Sequence, residues 1–133
     1  MPAEYSKSPL VKKLALKPKS RVAILNAPEG YRDLLGELPP ETTYAETLDG
    51  RYDWIQVFVT QKQALYDQLP SLKQHLAPNG TLWITFPRDK QKTDLNRNAV
   101  VPNAIQDSFG LTPVANTVVD DNWTAYRLKH YVP

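Results

Sequence analysis

Asn26, Pro28, Glu29, Gly30 and Tyr31 stand directly after a short apolar run, Arg21 to Leu25, and this placement makes them the first candidates for chemistry. Such a run, followed at once by Asn, Pro and Gly, reads as a buried parallel strand feeding a ligand loop. Asn26 and Glu29 offer hydrogen bonds, Gly30 lets backbone approach a ligand closely, and the Tyr31 ring can stack on a flat partner. Pro28 holds the loop in one shape, which lowers the entropy lost on binding. The structural alternative is a rigid proline turn, with Glu29 favouring the positive end of a short helix that follows. Turns that cradle a phosphate or ribose are glycine-rich. Here Asn26, Pro28 and Glu29 occupy those places, and only Gly30 remains.

Two further residues belong to the same candidate site. Thr60 closes a second apolar run, and Arg88 follows a third. Parallel strands deliver such positions to one rim, where open α/β sheets bind ligands. Arg88, Lys90, Lys92 and Arg97 can clamp a phosphate or carboxylate by charge-assisted hydrogen bonds, or form a solvated basic loop. Asp120 and Asp121 are adjacent residues of a turn; their side chains diverge, and turn forming is the better reading. Trp54, Trp83 and Trp123 read as core or sheet-face residues.

Composition narrows the chemistry. There is no cysteine, which excludes disulfides, thiolate metal sites and cysteine nucleophiles. Two histidines, His75 and His130, do not make a histidine-rich metal site. No serine stands in a nucleophile-elbow context. The net charge of +2 speaks against a nucleic-acid partner, although Lys7, Lys12, Lys13, Lys17, Lys19 and Arg21 cluster before the first strand. No apolar run approaches the ~20 residues of a membrane span, and no signal-peptide pattern opens the chain, so the expected compartment is the cytoplasm.

The elements that must position these residues follow in order. Ser8-Pro9 starts a helix with Leu10 and Leu14 on its inner face, ended by Pro18. After the Arg21 strand, Tyr31 to Gly36 allows a short helix and Thr42 to Thr47 an edge strand. Tyr52 to Thr60 is a central buried strand. Thr60 and Gln63 have capping-box spacing and open a helix with Leu65, Leu69, Leu72 and Leu76 on one face. Pro70 is expected to kink or divide it, and Pro78-Asn79-Gly80 to end it. Thr81 to Phe86 is the next strand. Asn98 caps a helix with Val101, Ile105 and Phe109 inside, and Thr112 to Val119 pairs with Trp123 to Tyr131 as a hairpin. Leu25, Ile55, Val57, Phe58, Leu82, Ile84 and Ile105 are the expected core. Residues 1–133 form one domain, whose mainly parallel sheet is covered on both faces. Only about five residues separate the edge strand from the Tyr52 strand, too few for a parallel crossover. Either the edge strand is very short and lies away from its successor, which is the preferred reading, or Asp49-Gly50 makes a hairpin.

The run L-K-P-x-x-R-V-x-x-L with its loop, then Y-D-W-I-Q-V-F-V, then L-A-P-N-G-T-L-W-I-T, resembles the core of class I S-adenosylmethionine-dependent methyltransferases. More closely, the chain resembles a small bacterial family of uncharacterised proteins with S-x-x-P-L-x-K-K-L, N-A-P-x-G-Y, an aromatic-proline pair and an aspartate-rich turn before tryptophan. Those features stand here at Ser6 to Leu14, Asn26 to Tyr31, Phe86-Pro87 and Asp120 to Trp123. The resemblance implies a three-layer, Rossmann-like (methyltransferase-like) α/β domain with an antiparallel C-terminal hairpin, truncated by one strand–helix unit. It departs from working methyltransferases where their first strand carries an acid, since Ile24 stands there, and where their loop carries several glycines. Glu46, near the end of the edge strand, matches in the resemblance the acid that meets the ribose hydroxyls, or is simply an exposed glutamate.

The leading expectation is thus a non-catalytic domain that binds a small molecule or protein partner on this scaffold, with no cofactor. One alternative is an S-adenosylmethionine-dependent methyltransferase with an atypical cofactor loop, and another is weak nucleic-acid binding.

Overall fold

Apolar, β-branched and aromatic residues alternate between two buried faces along the central strands, and this pattern organises the whole molecule. The computed structural model describes residues 9–95 and 110–130. Its elements run α1 (Pro9–Lys13), β1 (Arg21–Leu25), α2 (Tyr31–Leu35), β2 (Thr43–Ala45), β3 (Tyr52–Phe58), α3 (Lys62–His75), β4 (Leu76–Pro87), β5 (Leu111–Val118) and β6 (Trp123–His130). The six strands form one sheet in the order β2-β1-β3-β4-β6-β5. β1 pairs in parallel with β2 and β3, and β3 with β4. β6 is antiparallel to both β4 and β5. β2 is only three residues long and lies beside β1, away from its successor β3, as the short connection requires.

The register sorts side chains by parity. Ala23, Ile55, Val57, Leu82 and Ile84 face α3, whose Leu65, Leu69 and Leu72 complete that core. Each of these leucines is fully or almost fully buried, which contributes about 2 kcal/mol apiece. Val22, Ile24, Trp54, Phe58 and Trp83 face the other way, toward Leu10, Val11 and Leu14 of the α1 segment and Tyr31 and Leu35 of α2. Leu25 is half-buried rather than fully enclosed, because it ends β1 at the rim. Ile105 and the helix expected after Asn98 lie outside the described residues.

Three local expectations are corrected. The Thr60–Gln63 capping box does not form: Gln61 is the N-cap and has no side-chain cap bond. Instead Asp94 accepts from the Lys62 N–H at 2.6 Å, while the Gln63 side chain donates to Asp67. A carboxylate thirty-two residues downstream has displaced the local cap. α3 is not divided at Pro70, and it ends at His75, so Leu76 opens β4 rather than completing the helix face. Finally, Pro78-Asn79-Gly80 is an irregularity inside β4, where Tyr52 pairs with Leu76 but Trp54 pairs with Thr81. Three extra residues are thereby accommodated between neighbouring pairs. Gly80 suits that bend, since a Cβ there would lie 2.9 Å from the Ala77 carbonyl.

Candidate functional site

Because β1, β2, β3 and β4 run parallel, their carboxyl ends share one rim and release their loops there. The loop after β1 turns at once: Asn26 adopts left-handed backbone, φ 59°, which asparagine tolerates better than most residues. The Tyr31 N–H then closes a turn onto the Pro28 carbonyl at 3.1 Å. Gly30, at φ 84° and ψ −5°, takes the third position of that turn, which demands glycine. A Cβ at Gly30 would meet nothing within 4 Å, so the turn faces open space. Asn26 and Glu29 are exposed and Pro28 is half-buried.

Tyr31 has a different role from the one its sequence position suggests. Its ring is 2% exposed and meets Phe58 edge-on at 4.6 Å, so no face is left to stack on a ligand. Its hydroxyl donates to Gln56 Oε1 at 2.6 Å, and Gln56 Nε2 donates to Thr85 Oγ1 at 2.9 Å. Burial pushes the phenol far above the ordinary tyrosine range, opposed by the Gln56 hydrogen bond. Phe58 in turn meets Trp123 edge-on at 5.0 Å. This aromatic chain fixes the start of α2, and with it the turn that precedes it.

On the far side of the rim, Thr60 is exposed and its carbonyl accepts from the Thr93 hydroxyl at 2.6 Å. Arg88 is exposed; its N–H donates to the Asn122 carbonyl at 2.9 Å and its guanidinium reaches the Asp120 carbonyl at 3.5 Å. The Arg88 loop is therefore tied to the β5–β6 turn. In that turn Asp120 Oδ1 accepts from the Asn122 and Trp123 N–H groups at 2.7 and 2.9 Å, which is the work of a turn former. Two cavities flank the Arg88 loop. One of about 240 Å³ has Arg88, Lys90, Thr93 and Tyr126 in its wall. The other, about 510 Å³, is bounded by Asp89, Lys92, Asp121 and Trp123.

The rim thus gathers the Asn26–Gly30 loop, Thr60 and Arg88 on one edge, while Tyr31 lies beneath it as a support. Sequence reading missed Thr93 and Asp94, which pin the Arg88 loop to the start of α3. Asp89 is a missed turn former, accepting from the Gln91 N–H at 2.9 Å, and its Asp-x-Gln spacing was a usable signal. Glu46, exposed, follows β2 on the same rim. Among the described residues, no cluster of three or more histidines, aspartates or glutamates can hold a metal ion, and no helix is long and apolar enough to cross a membrane.

Solved structures share this architecture. A SAM dependent methyltransferase from Aquifex aeolicus superimposes with a TM-score of 0.60 at 13% identity, covering 95% of this chain and 90% of its own. The N-methyltransferase NodS from Bradyrhizobium japonicum gives 0.59 at 14% identity, with 92% and 93% covered. DhpI, solved as a complex with SAH, gives 0.56 at 10% identity, with 85% and 78% covered. The fold is methyltransferase-like. At these identities the likeness is one of fold alone. No protein-family model matches the sequence, and no curated protein sequence does either.

Proposed function

We propose that the chain acts as an S-adenosylmethionine-dependent methyltransferase with an atypical cofactor loop. The observation that carries this reading is the open turn at Gly30, set on the rim between Glu46 and Thr60 in a methyltransferase-like sheet. S-adenosylmethionine, when bound, supplies a methyl group activated by its sulfonium. The residues present suit such a ligand. Glu46, one position past β2, offers a carboxylate to a ribose diol, and Glu29, exposed on the turn, offers one to an ammonium. Asn26 and Thr60 add neutral hydrogen-bonding groups, and Arg88 suits a carboxylate.

A second reading, a non-catalytic binding domain, draws on Ile24. It is 1% exposed and buried in the core, so β1 presents no acid of its own to the rim. Titration calorimetry with S-adenosylmethionine and S-adenosylhomocysteine separates the two. Micromolar binding of both supports the first reading. Absence of binding at millimolar ligand overturns it and leaves the second.

A further inference from the structure

The opposite edge of the sheet carries a cavity of about 490 Å³, within the size range of small-molecule pockets. Its wall combines Arg51, Lys73 and His130 with apolar Pro70, Leu76 and Pro78. These residues come from four places in the chain: the residue before β3, the end of α3, the irregular start of β4 and the end of β6. Among the described residues, no aspartate or glutamate lines it. Three cationic or proton-accepting groups converging without an acid leave a positive field that the apolar wall does not dissipate.

The His130 ring and the Arg51 backbone are tied by hydrogen bonds, and the Lys73 side chain lies against Gly110. Lys73 runs its ammonium past Gly110, where an added Cβ would lie 2.5 Å from Nζ. His130 Nε2 meets the Leu76 carbonyl at 2.9 Å. A carbonyl only accepts, so Nε2 carries the proton and donates it to Leu76. Arg51 uses its carbonyl to accept from Arg21 at 2.8 Å. The irregularity at residues 77–80 sets Pro78 into the wall, and strand irregularities of this kind recur beside ligand sites.

We infer that this cavity is a second binding site, distinct from the rim, for a phosphomonoester on a compact apolar body. Two permanent cations and an imidazole match a dianion better than a monoanion, and Arg51 suits bidentate contact with phosphate oxygens. Pro70, Leu76 and Pro78 match the apolar body.

Phenyl phosphate, inorganic phosphate and benzoate are the probes, titrated against the full chain by calorimetry and amide chemical-shift mapping at low ionic strength. Phenyl phosphate is expected to bind about tenfold more tightly than inorganic phosphate, which lacks the apolar body, and than benzoate, which lacks the second charge. Shifts should centre on Lys73, Leu76 and His130. The double variant Arg51→Ala, Lys73→Gln should lose at least about tenfold in affinity, while Lys73→Arg retains it and controls for folding. Arg88→Ala, on the other rim, should bind as the parent does. Saturation absent at 10 mM (roughly the limit of a specific site), equal binding of benzoate, or equal loss in Arg88→Ala would each overturn the assignment.

Discussion

The two faces of the sheet are held by different physics. On the α3 face, Ile55, Val57, Leu82 and Ile84 meet Leu65, Leu69 and Leu72, and adhesion is non-directional burial by a 14-residue helix. On the other face α1 and α2 are five residues each, too short to persist alone. They are fastened by directional bonds in addition to the burial of Leu10, Val11, Leu14, Tyr31 and Leu35. The indole N–H groups of Trp54 and Trp83 both donate to the Leu14 carbonyl at 2.9 Å, and Tyr31 is bonded through Gln56 to Thr85. A helix that must deliver a loop to an exact place gains from bonds with a geometry; one that only covers a core does not need them. The Asn26–Gly30 turn, directly before α2, is on the directional side.

Substitutions probe that contrast, beginning with the largest effect. Ile55→Ala empties a fully buried site on the burial face and should cost roughly 2–5 kcal/mol in chemical denaturation, with the rim loops unmoved. Gln56→Leu strands the Tyr31 hydroxyl and the Thr85 hydroxyl, costing about 1–3 kcal/mol. Unlike Ile55→Ala, it should also shift the amide resonances of residues 26–31. An equal cost with those resonances unmoved would show that the two faces do not differ.

The same side carries a pH signature. The buried Tyr31 phenol keeps its proton in the folded chain, whereas an unfolded tyrosine ionises near pH 10, at about its ordinary value. Its contribution is therefore fully present below about pH 10 and is lost as pH rises above that. Denaturation midpoints measured upward from neutral pH should fall more steeply for the parent than for Tyr31→Phe.

Much of this arrangement was legible in the residues. The Arg21–Leu25 strand, the short Tyr31 helix and the closing hairpin followed from apolar runs and their punctuation, which act within a few residues. What escaped was non-local. Thr60 and Gln63 had the right spacing for a cap, but Asp94 supplied it from the other side of a loop. Leu76 kept the helix period, yet strand pairing with Tyr52 claimed it. Tyr31 looked like a rim residue because nothing in its neighbourhood announces Gln56. Asp94→Ala tests the first of these and should destabilise by about 1 kcal/mol. The smallest effect on stability belongs to the rim itself. Asn26→Gly, which keeps the left-handed turn, and Arg88→Ala should leave the melting temperature nearly unchanged while abolishing S-adenosylhomocysteine binding; early unfolding of both would make the loop structural.

The Leu14 carbonyl joins residues 40 and 69 positions apart from it in the chain. During synthesis the α1 segment leaves the ribosome before the strands it docks on, and its second indole partner is made only after β3 and α3 have passed. Until β4 is in place, the end of α1 lacks half of its attachment. The α1 segment accordingly waits for β4 before it settles, and a nascent chain halted before Trp83 should carry it incompletely docked.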